Sequence, residues 1–400
     1  MIPYGRQDIS AEDIEAVTEV LRSDWLTQGQ AGPRFEQAMA AYCGSRSAIA
    51  VANATAALHI ACLALDLGPG DTLWTTPNTF VASANCALYC GASVDFVDID
   101  PRTYNMGVSA LAEKLEIAAS NGRLPKIVVP VHFAGQSCEM REIRSLADRY
   151  GFRIIEDASH AVGGEYLGRK VGACDYGDTT IFSFHPVKII TTGEGGMALT
   201  NDSRLAERLS YLRTHGIVRP AQRPEEPQQR ESPTNQERVN EERDGPWMYE
   251  QIELGLNYRM TDIQSALGTS QLARLDPFVA RRRELAARYD GLLAELPVTC
   301  PWQHPDTNSA WHLYVIRLHR NEIKLSRRQV FDALRAAGIG VNVHYIPVHT
   351  QPYYRKLGFQ TGMFPEAESY YQDAITLPLF SSMTDDQQDT VVAALQKILS

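Results

Sequence analysis

The sequence lacks the features that mark several broad classes of protein. No apolar run approaches membrane-spanning length and no charged-then-apolar leader opens it, so we expect a cytoplasmic protein with no membrane partner. Basic residues are in the minority: 38 lysines and arginines face 48 aspartates and glutamates. The formal net charge of -10 disfavours nucleic acid as a partner.

Cysteine and metal-binding patterns are missing as well. The seven cysteines are odd in number and include no C-x-x-C pair, which is typical of buried thiols in a reducing compartment. The ten histidines show no H-E-x-x-H or paired-ligand spacing, so no metal is expected. The glycine-rich stretch 193–196 lacks the G-K-[ST] ending of a P-loop, and no G-x-G-x-x-G follows a strand.

What is present is a regular alternation of strand-like and helix-like segments. It predicts a mainly parallel sheet covered by helices, an α/β fold in which ligands bind beyond the carboxyl ends of the strands. A smaller unit should follow from about residue 297, with strands at 311–318 and 341–345. The predicted strands of the first half lie at 48–52, 72–76, 94–98, 126–133, 152–156, 180–184 and 197–199.

Local signals predict where several helices begin. Ser10 opens a capping-box-like start, Asn53 or Thr55 can cap an alanine-rich helix that runs to Leu67, and Thr261 or Asp262 can cap a long helix. One stretch, 219–245, is rich in Pro, Gln, Glu and Arg and nearly devoid of apolar residues. We expect it to be a mobile surface insertion.

Two charged side chains stand out as candidates for chemistry. Lys188 is the one charged residue in the run 179–193 and lies between two strand-like segments, so desolvation should favour its neutral, nucleophilic form. The alternative is a lysine that reaches out to solvent. Asp157 ends an apolar strand and should point into the crevice, although it could instead cap a helix.

These residues fit one cofactor when they are combined. Lys188, Asp157, the strand-to-helix turn 53–56 with Ser183, and Phe80 supply an amine, a carboxylate, an anion site and a ring-stacking group. Their order along the chain resembles that of the fold-type I aminotransferases that use pyridoxal 5'-phosphate. The sequence resembles the DegT/DnrJ/StrS family of sugar aminotransferases over nearly its whole length. The stretches that carry this resemblance are 25–29, 53–58, 156–160, 182–188, 193–196 and 256–260.

Within that family, the stretches 132–135 and 184–192 most resemble the UDP-sugar 4-aminotransferases of the pseudaminic acid pathway. The resemblance implies a large domain, 1–255, with a mainly parallel seven-stranded sheet. A linking helix and a small C-terminal α/β domain, 256–400, would follow. It also implies amino transfer from L-glutamate to the 4-keto group of a UDP-linked 4-keto-6-deoxy-N-acetyl sugar, in a homodimer with shared active sites.

The resemblance assigns roles to individual residues. Lys188 would bind the cofactor covalently and move the proton, and Asp157 would pair with the pyridine nitrogen. The remaining cofactor-binding residues would be Ala54, Thr55, Ala56, Phe80, Ala158, His160, Ser183, His185 and, from the neighbouring subunit, Asn257. The candidates for the nucleotide-sugar side are Tyr4, Trp25, Leu26, Thr27, Arg259, His312, Tyr314 and His344. Many relatives have Gly where Ala54 stands and Gln where His160 stands.

Other functions remain open at this stage. Dehydratases of the same family carry His at the lysine position, so the presence of Lys188 favours an aminotransferase. A 3- or 4-aminotransferase acting on a dTDP- or GDP-linked sugar would use the same cofactor residues. A non-catalytic, cofactor-binding regulatory protein predicts a damaged set of residues, whereas Lys188, Asp157, Ser183 and Asn257 are all present.

Overall fold

The computed structural model describes residues 1–219 and 247–400, so nearly all of the predicted insertion at 219–245 lies outside the described residues. The helices are α1 (Ala11–Leu21), α2 (Ala31–Cys43), α3 (Ala54–Ala64), α4 (Ala82–Tyr89), α5 (Val108–Ser120), α6 (Met140–Tyr150), α7 (Ser203–Leu212), α8 (Asp262–Leu272), α9 (Leu275–Leu292), α10 (Arg327–Ala336), α11 (Pro352–Lys356), α12 (Pro365–Asp373) and α13 (Asp385–Leu399). The strands are β1 (Ser47–Val51), β2 (Thr72–Thr75), β3 (Ser93–Phe96), β4 (Ile127–Val129), β5 (Arg153–Asp157), β6 (Glu165–Tyr166), β7 (Arg169–Lys170), β8 (Thr179–Ser183), β9 (Gly196–Thr200), β10 (Ile217–Val218), β11 (Glu250–Gln251), β12 (Val298–Thr299), β13 (Thr307–Asn308), β14 (Tyr314–Leu318) and β15 (Ala374–Leu377).

The central sheet has seven strands in the order β1-β9-β8-β5-β4-β2-β3. Strands β8, β5, β4, β2 and β3 run parallel, while β9 runs antiparallel to both of its neighbours. The predicted mainly parallel α/β sheet is therefore confirmed. Because β9 is reversed, its first residue, Gly196, lies beside the last residues of β1 and β8, Val51 and Ser183.

Both faces of this sheet are buried, as expected for strands that lie between two helical layers. Along β9, Ala198 packs into one apolar cluster with residues of α3, α4 and α7. Its neighbours Met197 and Leu199 point to the other side, into a cluster with residues of α2 and α9. This alternation follows from the two-residue period of a strand.

The predicted helix starts agree with the structure. Ser10 and Thr261 each form a capping box, and the side chain of Asn53 accepts a hydrogen bond from the N–H of Ala56. Helix α3 ends at Ala64, before the predicted Leu67. In the part of the chain that the structure describes, no helix combines the length and the apolar character needed to cross a membrane.

The second unit is built on an antiparallel sheet of β12, β14 and β15, with α9, α10 and α13 around one apolar cluster. The predicted strand at 341–345 is wrong: only Asn342 pairs, in a single bridge to Thr376. Beyond that bridge the backbone turns toward a loop near the sheet edge, where Tyr345 N donates to the side chain of Asn78 over 3.4 Å. Strand β15, which the sequence analysis did not identify, occupies the sheet position beside β14.

The first residues of the chain pack on this second unit. Ile2 N donates to Gly338 O and Ile2 O accepts from Gly340 N, over 2.8 and 2.6 Å. Leu379 N donates to Tyr4 O over 3.0 Å. The start of the chain is thus held between distant segments, and the domain boundary at 255/256 stays a prediction.

Candidate active site

A cavity of about 580 Å³ opens at the carboxyl edge of the central sheet. This is the edge that the α/β order predicts for a ligand site. Its walls come from the β1–α3 turn, from the ends of β5 and β8, from the segment after β8, and from the loop 342–345. The predicted site residues that line it are Tyr4, Ala54, Thr55, Phe80, Asp157, His160, Ser183, His185, Lys188, His312 and His344.

Lys188 lies in the segment that follows β8, where its backbone N–H donates to His185 O over 2.8 Å. Burial lowers the pKa of the Lys188 amine to about 8, and the negative charge of Asp157 partly opposes that shift. Within 1–219 and 247–400, its amine forms no ion pair or hydrogen bond with another side chain. An amine of this kind is a nucleophile near neutral pH.

Asp157 ends β5 and is held by three hydrogen bonds. Ser83 Oγ donates to Oδ2 over 2.6 Å, while the hydroxyl and the N–H of Ser159 donate to Oδ1 over 2.6 and 3.1 Å. Thr79 contacts Ser83 in turn, with 2.7 Å between the two hydroxyl oxygens. These bonds fix the position of a carboxylate that faces the cavity.

Neither serine that holds Asp157 was predicted from the sequence. Ser159 could have been found, because a serine two residues after an aspartate often forms a local turn bond with it. Ser83 lies 74 residues from Asp157 in sequence, and only the sheet topology brings the two together.

The turn between β1 and α3 forms an anion site. Asn53 satisfies the N–H of Ala56 over 2.8 Å, which leaves the N–H groups of Ala54 and Thr55 without partners inside the helix. Ser183 lies opposite at the end of β8 and is 8% exposed. The positive end of the helix dipole and the free donors suit a phosphate group.

A glycine makes this close arrangement possible. A Cβ on Gly196 would lie 2.4 Å from the carbonyl carbon of Asn53 and 2.5 Å from Ala54 N. Strand β9 therefore touches the start of α3 backbone to backbone. Ala54 itself begins the helix without a positive φ, so its own position does not require glycine.

His160 lies on the floor of the cavity with both ring nitrogens engaged. Its Nδ1 accepts from Ala134 N over 3.3 Å, so its proton is on Nε2, which lies 3.0 Å from the hydroxyl oxygen of Tyr345. Burial and the nearby Lys188 and His344 hold the pKa of His160 well below its ordinary value. Tyr345, which the sequence analysis did not single out, therefore accepts from His160, and its own hydroxyl proton is free to point into the cavity.

The remaining predicted cofactor residues take different positions. Phe80 stands at the cavity mouth, 59% exposed, with its ring 6.3 Å from that of Tyr345. Ala56 and Ala158 are buried behind the cavity wall rather than in it. The side chain of Asn257 is exposed and its backbone pairs with Thr214, so the structure does not bring it into this cavity.

Five predicted substrate residues also lie outside the cavity of their own chain. Trp25, Leu26 and Thr27 form an exposed loop, and Arg259 lines a separate cavity of about 240 Å³. Tyr314 is fully buried in the second unit, where its hydroxyl donates to Asp290 over 2.5 Å. Its surroundings make it a packing residue.

The groups that face the cavity fit pyridoxal phosphate. An amine with a lowered pKa, a fixed carboxylate and a helix start with free N–H groups match the aldehyde, the ring nitrogen and the phosphate of that molecule. Among the residues described, no cluster of His, Cys, Asp or Glu could hold a metal ion.

Comparison with known proteins agrees with this chemistry. The sequence model of the DegT/DnrJ/EryC1/StrS aminotransferase family matches residues 7–396. The spore coat polysaccharide biosynthesis protein SpsC of Bacillus subtilis is 39% identical, and the match covers 100% of this chain and 97% of SpsC.

Two solved structures are also similar. PseC of Helicobacter pylori, an aminotransferase involved in pseudaminic acid biosynthesis, superposes with a TM-score of 0.87 at 30% identity, over 100% of this chain and 99% of PseC. The putative sugar aminotransferase Spr1654 of Streptococcus pneumoniae, in its PMP form, gives a TM-score of 0.86 at 27% identity, with 100% and 99% of the two chains covered. The chain belongs to the DegT/DnrJ/EryC1/StrS aminotransferase family and is a pyridoxal phosphate-dependent sugar aminotransferase.

Proposed function

We propose that this enzyme transfers the amino group of L-glutamate to the 4-keto group of a UDP-linked 4-keto-6-deoxy-N-acetyl sugar. The observation that carries the transfer itself is the presence, in one cavity, of Lys188, whose pKa burial lowers to about 8, and the fixed Asp157 carboxylate. The 4-keto position and the UDP carrier are supported by the similarity to PseC and by the stretches 132–135 and 184–192. The cytoplasm is the proposed location.

The residues of this chain take the following roles in the proposal. Bound pyridoxal phosphate supplies the electron sink that lets an amino group pass between two carbon atoms. The amine of Lys188, half-buried beside Asp157, takes up and returns the proton at the reacting carbon. Asp157, fixed by Ser83 and Ser159, keeps the pyridine nitrogen protonated.

The phosphate would lie on the N–H groups of Ala54 and Thr55 with the Ser183 hydroxyl beside them. These groups bind and orient rather than react. Phe80 and Tyr345 form an aromatic side of the same cavity, against which the cofactor ring would lie.

We further propose that the enzyme is a homodimer with shared active sites. Support comes from the exposed positions of Asn257 and of the apolar loop residues Trp25 and Leu26, which are 61% and 48% exposed. Asn257 would reach the phosphate bound by the neighbouring subunit, and the loop 25–27 with Arg259 would contact the neighbour's nucleotide sugar.

Subunit complementation tests this arrangement. Lys188→Ala and Asn257→Ala variants should each be inactive, whereas a refolded equimolar mixture should recover about one quarter of native activity, because half of the dimers are mixed and each has one intact site. Absence of recovery in a mixture that forms mixed dimers would exclude shared sites.

A second candidate keeps the chemistry and changes the carrier. The identity to SpsC, 39%, exceeds the 30% identity to PseC. This favours, as an alternative, amination of a keto-sugar that serves polysaccharide synthesis, for which a dTDP or GDP carrier and a 3- or 4-keto group are the candidates.

One experiment separates the two candidates. The purified enzyme is given ¹⁵N-labelled glutamate with UDP-, dTDP- and GDP-linked 6-deoxy sugars that carry the keto group at position 3 or 4, and each product is scored by mass for the labelled amine. A clear preference for the UDP-linked N-acetyl sugar supports the proposal, and a preference for another carrier supports the alternative. Labelled product from none of them would overturn both. The Lys188→Ala variant is the negative control and should give no labelled product.

A further inference from the structure

His312 reaches the cavity from a segment that rests on the turn at 134–135. Ala310 N donates to Gly135 O over 3.0 Å, and Leu313 N donates to Ala134 O over 3.2 Å. Gly135 has a φ of +106°, and a Cβ there would lie 2.7 Å from Trp311 N. The segment is therefore fixed by direct backbone contact on one side.

On its other side the segment is held by a buried cation. Arg282 of α9 is 1% exposed, and its Nη1 donates to the carbonyl oxygens of Trp311, His312 and Leu379 over 3.2, 3.3 and 3.0 Å. Over residues 1–219 and 247–400, it forms no ion pair with a carboxylate. A buried guanidinium without a counter-ion is costly, so its position calls for an explanation.

The imidazole of His312 is itself 4% exposed and lines the cavity. Its ring centroid lies 4.5 Å from that of His160. Its Nδ1 is enclosed and has no hydrogen-bond partner in the described part of the chain. Nε2 is not enclosed in this way and also lacks a protein partner among those residues.

The charge on this ring follows from its surroundings. Burial, together with the nearby groups His160, Lys188, Arg282 and His344, holds the pKa of His312 well below its ordinary value. An enclosed N–H without a partner is rarer and more costly than an enclosed lone pair. The single proton of the neutral ring therefore belongs on Nε2, on the side of the cavity.

We propose that His312 is an uncharged hydrogen-bond donor whose Nε2–H holds the carbonyl oxygen of the keto-sugar at the reacting end of the cavity, with Arg282 as its positioning residue. This inference rests on the proposed function, since it needs a carbonyl substrate. When an amine adds to the carbonyl carbon, negative charge builds up on that oxygen, and a fixed donor stabilises it. The proton stays on His312, because a neutral imidazole is a weak acid, as in enzymes that use a neutral histidine to polarise a carbonyl.

The tautomer can be measured on the holoenzyme without turnover. In enzyme with ¹⁵N-labelled histidine, long-range ¹H–¹⁵N spectra at pH 7.5 should show His312 as neutral with its proton on Nε2; His312→Gln assigns the signal. His132 is an internal reference, since its Nδ1 accepts from Cys138 N over 3.1 Å and its Nε2 lies 2.9 Å from Glu156. A protonated His312 ring, or a proton on Nδ1, would refute the inference.

Kinetics test what the donor does. His312→Gln keeps an N–H near the Nε2 position and should lose less than about tenfold in kcat, whereas His312→Phe should lose about 100-fold with KM nearly unchanged. The pH profile of kcat should keep its shape in both variants, because His312 does not titrate. Equal losses in Gln and Phe, or the disappearance of an acidic limb from the profile, would contradict a donor role.

The positioning role of Arg282 needs a separate readout. Arg282→Met should shift the His312 signal and lower kcat by about as much as His312→Phe does. If Arg282→Met does not fold, Arg282→Lys replaces it and should show a smaller shift of the signal and a smaller loss of kcat. An unchanged His312 signal in a folded Arg282 variant would exclude that role. If the native enzyme aminates no keto-sugar, the proposed function fails, while the tautomer result stands by itself.

Discussion

Lys188 should react with a small acylating reagent at a pH far below that at which ordinary lysines react. The relevant state is the enzyme freed of its cofactor. With a pKa of about 8, about half of the Lys188 amines are neutral at pH 8, against about 0.3% for a lysine at the ordinary value of 10.5. The difference in the reactive fraction is about 150-fold.

Competitive labelling with trace acetic anhydride measures this directly. Labelling of the peptide that contains Lys188 is followed by mass spectrometry from pH 6 to pH 11, with the exposed Lys397 in the same sample as reference. The Lys188 rate should rise about tenfold per pH unit and level off above pH 8. Because only the inflection is used, unequal access of the reagent to the two lysines does not affect the result.

A variant separates the causes of the shift. Asp157→Asn removes the negative charge that favours the ammonium form of Lys188, so the inflection should move to lower pH still. An inflection near pH 10 in the native protein would refute the burial argument. An upward move in Asp157→Asn would refute the assigned effect of the carboxylate.

Three further predictions concern stability and are measured by urea unfolding of cofactor-free protein; the last also concerns cofactor affinity, which is measured by titration with pyridoxal phosphate. Lys188→Met should raise the free energy of unfolding at pH 7 by about 1–3 kcal/mol, because the lowered amine pKa means that burial disfavours the charged form; an unchanged value would contradict this. Asp13→Ala should lower the free energy of unfolding by about 2–4 kcal/mol, since the fully buried carboxylate accepts hydrogen bonds from Ser10 N and Gln271 and pairs with Arg274. The control, Glu19→Ala at an exposed position of the same helix, should lower it by less than about 0.5 kcal/mol. Gly196→Ala should lower the free energy of unfolding by about 2 kcal/mol or more and weaken cofactor binding at least tenfold, because the added Cβ would lie 2.4 Å from Asn53. The control is Gly291→Ala in α9, where a Cβ has nothing within 4 Å, so this change should raise the free energy of unfolding by up to about 1 kcal/mol. Equal effects of the two changes would refute the packing argument.

Local signals were sufficient where the structure depends on neighbours in sequence. Ser10, Asn53 and Thr261 cap their helices as predicted, because a capping hydroxyl or amide acts on backbone only three residues away. The position of Lys188 between two buried strands also followed from the pattern. Its lowered pKa has the predicted cause, burial.

The predictions that failed concern residues whose hydrogen-bond partners are distant in sequence. The β propensity of 341–345 suggested a strand, but Tyr345 N is drawn to Asn78, 267 residues away, and only Asn342 keeps a bridge to the sheet. Ser83, the support of Asp157, was missed for the same reason. Strand propensity is a preference of the segment alone, whereas contacts with distant residues determine whether the segment joins a sheet.

The bond between Leu379 N and Tyr4 O, 375 positions apart, has a consequence for the order of assembly. During synthesis Tyr4 leaves the ribosome long before Leu379, so the cavity wall that Tyr4 contributes cannot be completed until the chain has grown past Leu379. Contacts of such long sequence separation form late and slowly. Uptake of the vitamin-derived cofactor by nascent chains should therefore mark the end of folding rather than guide its beginning.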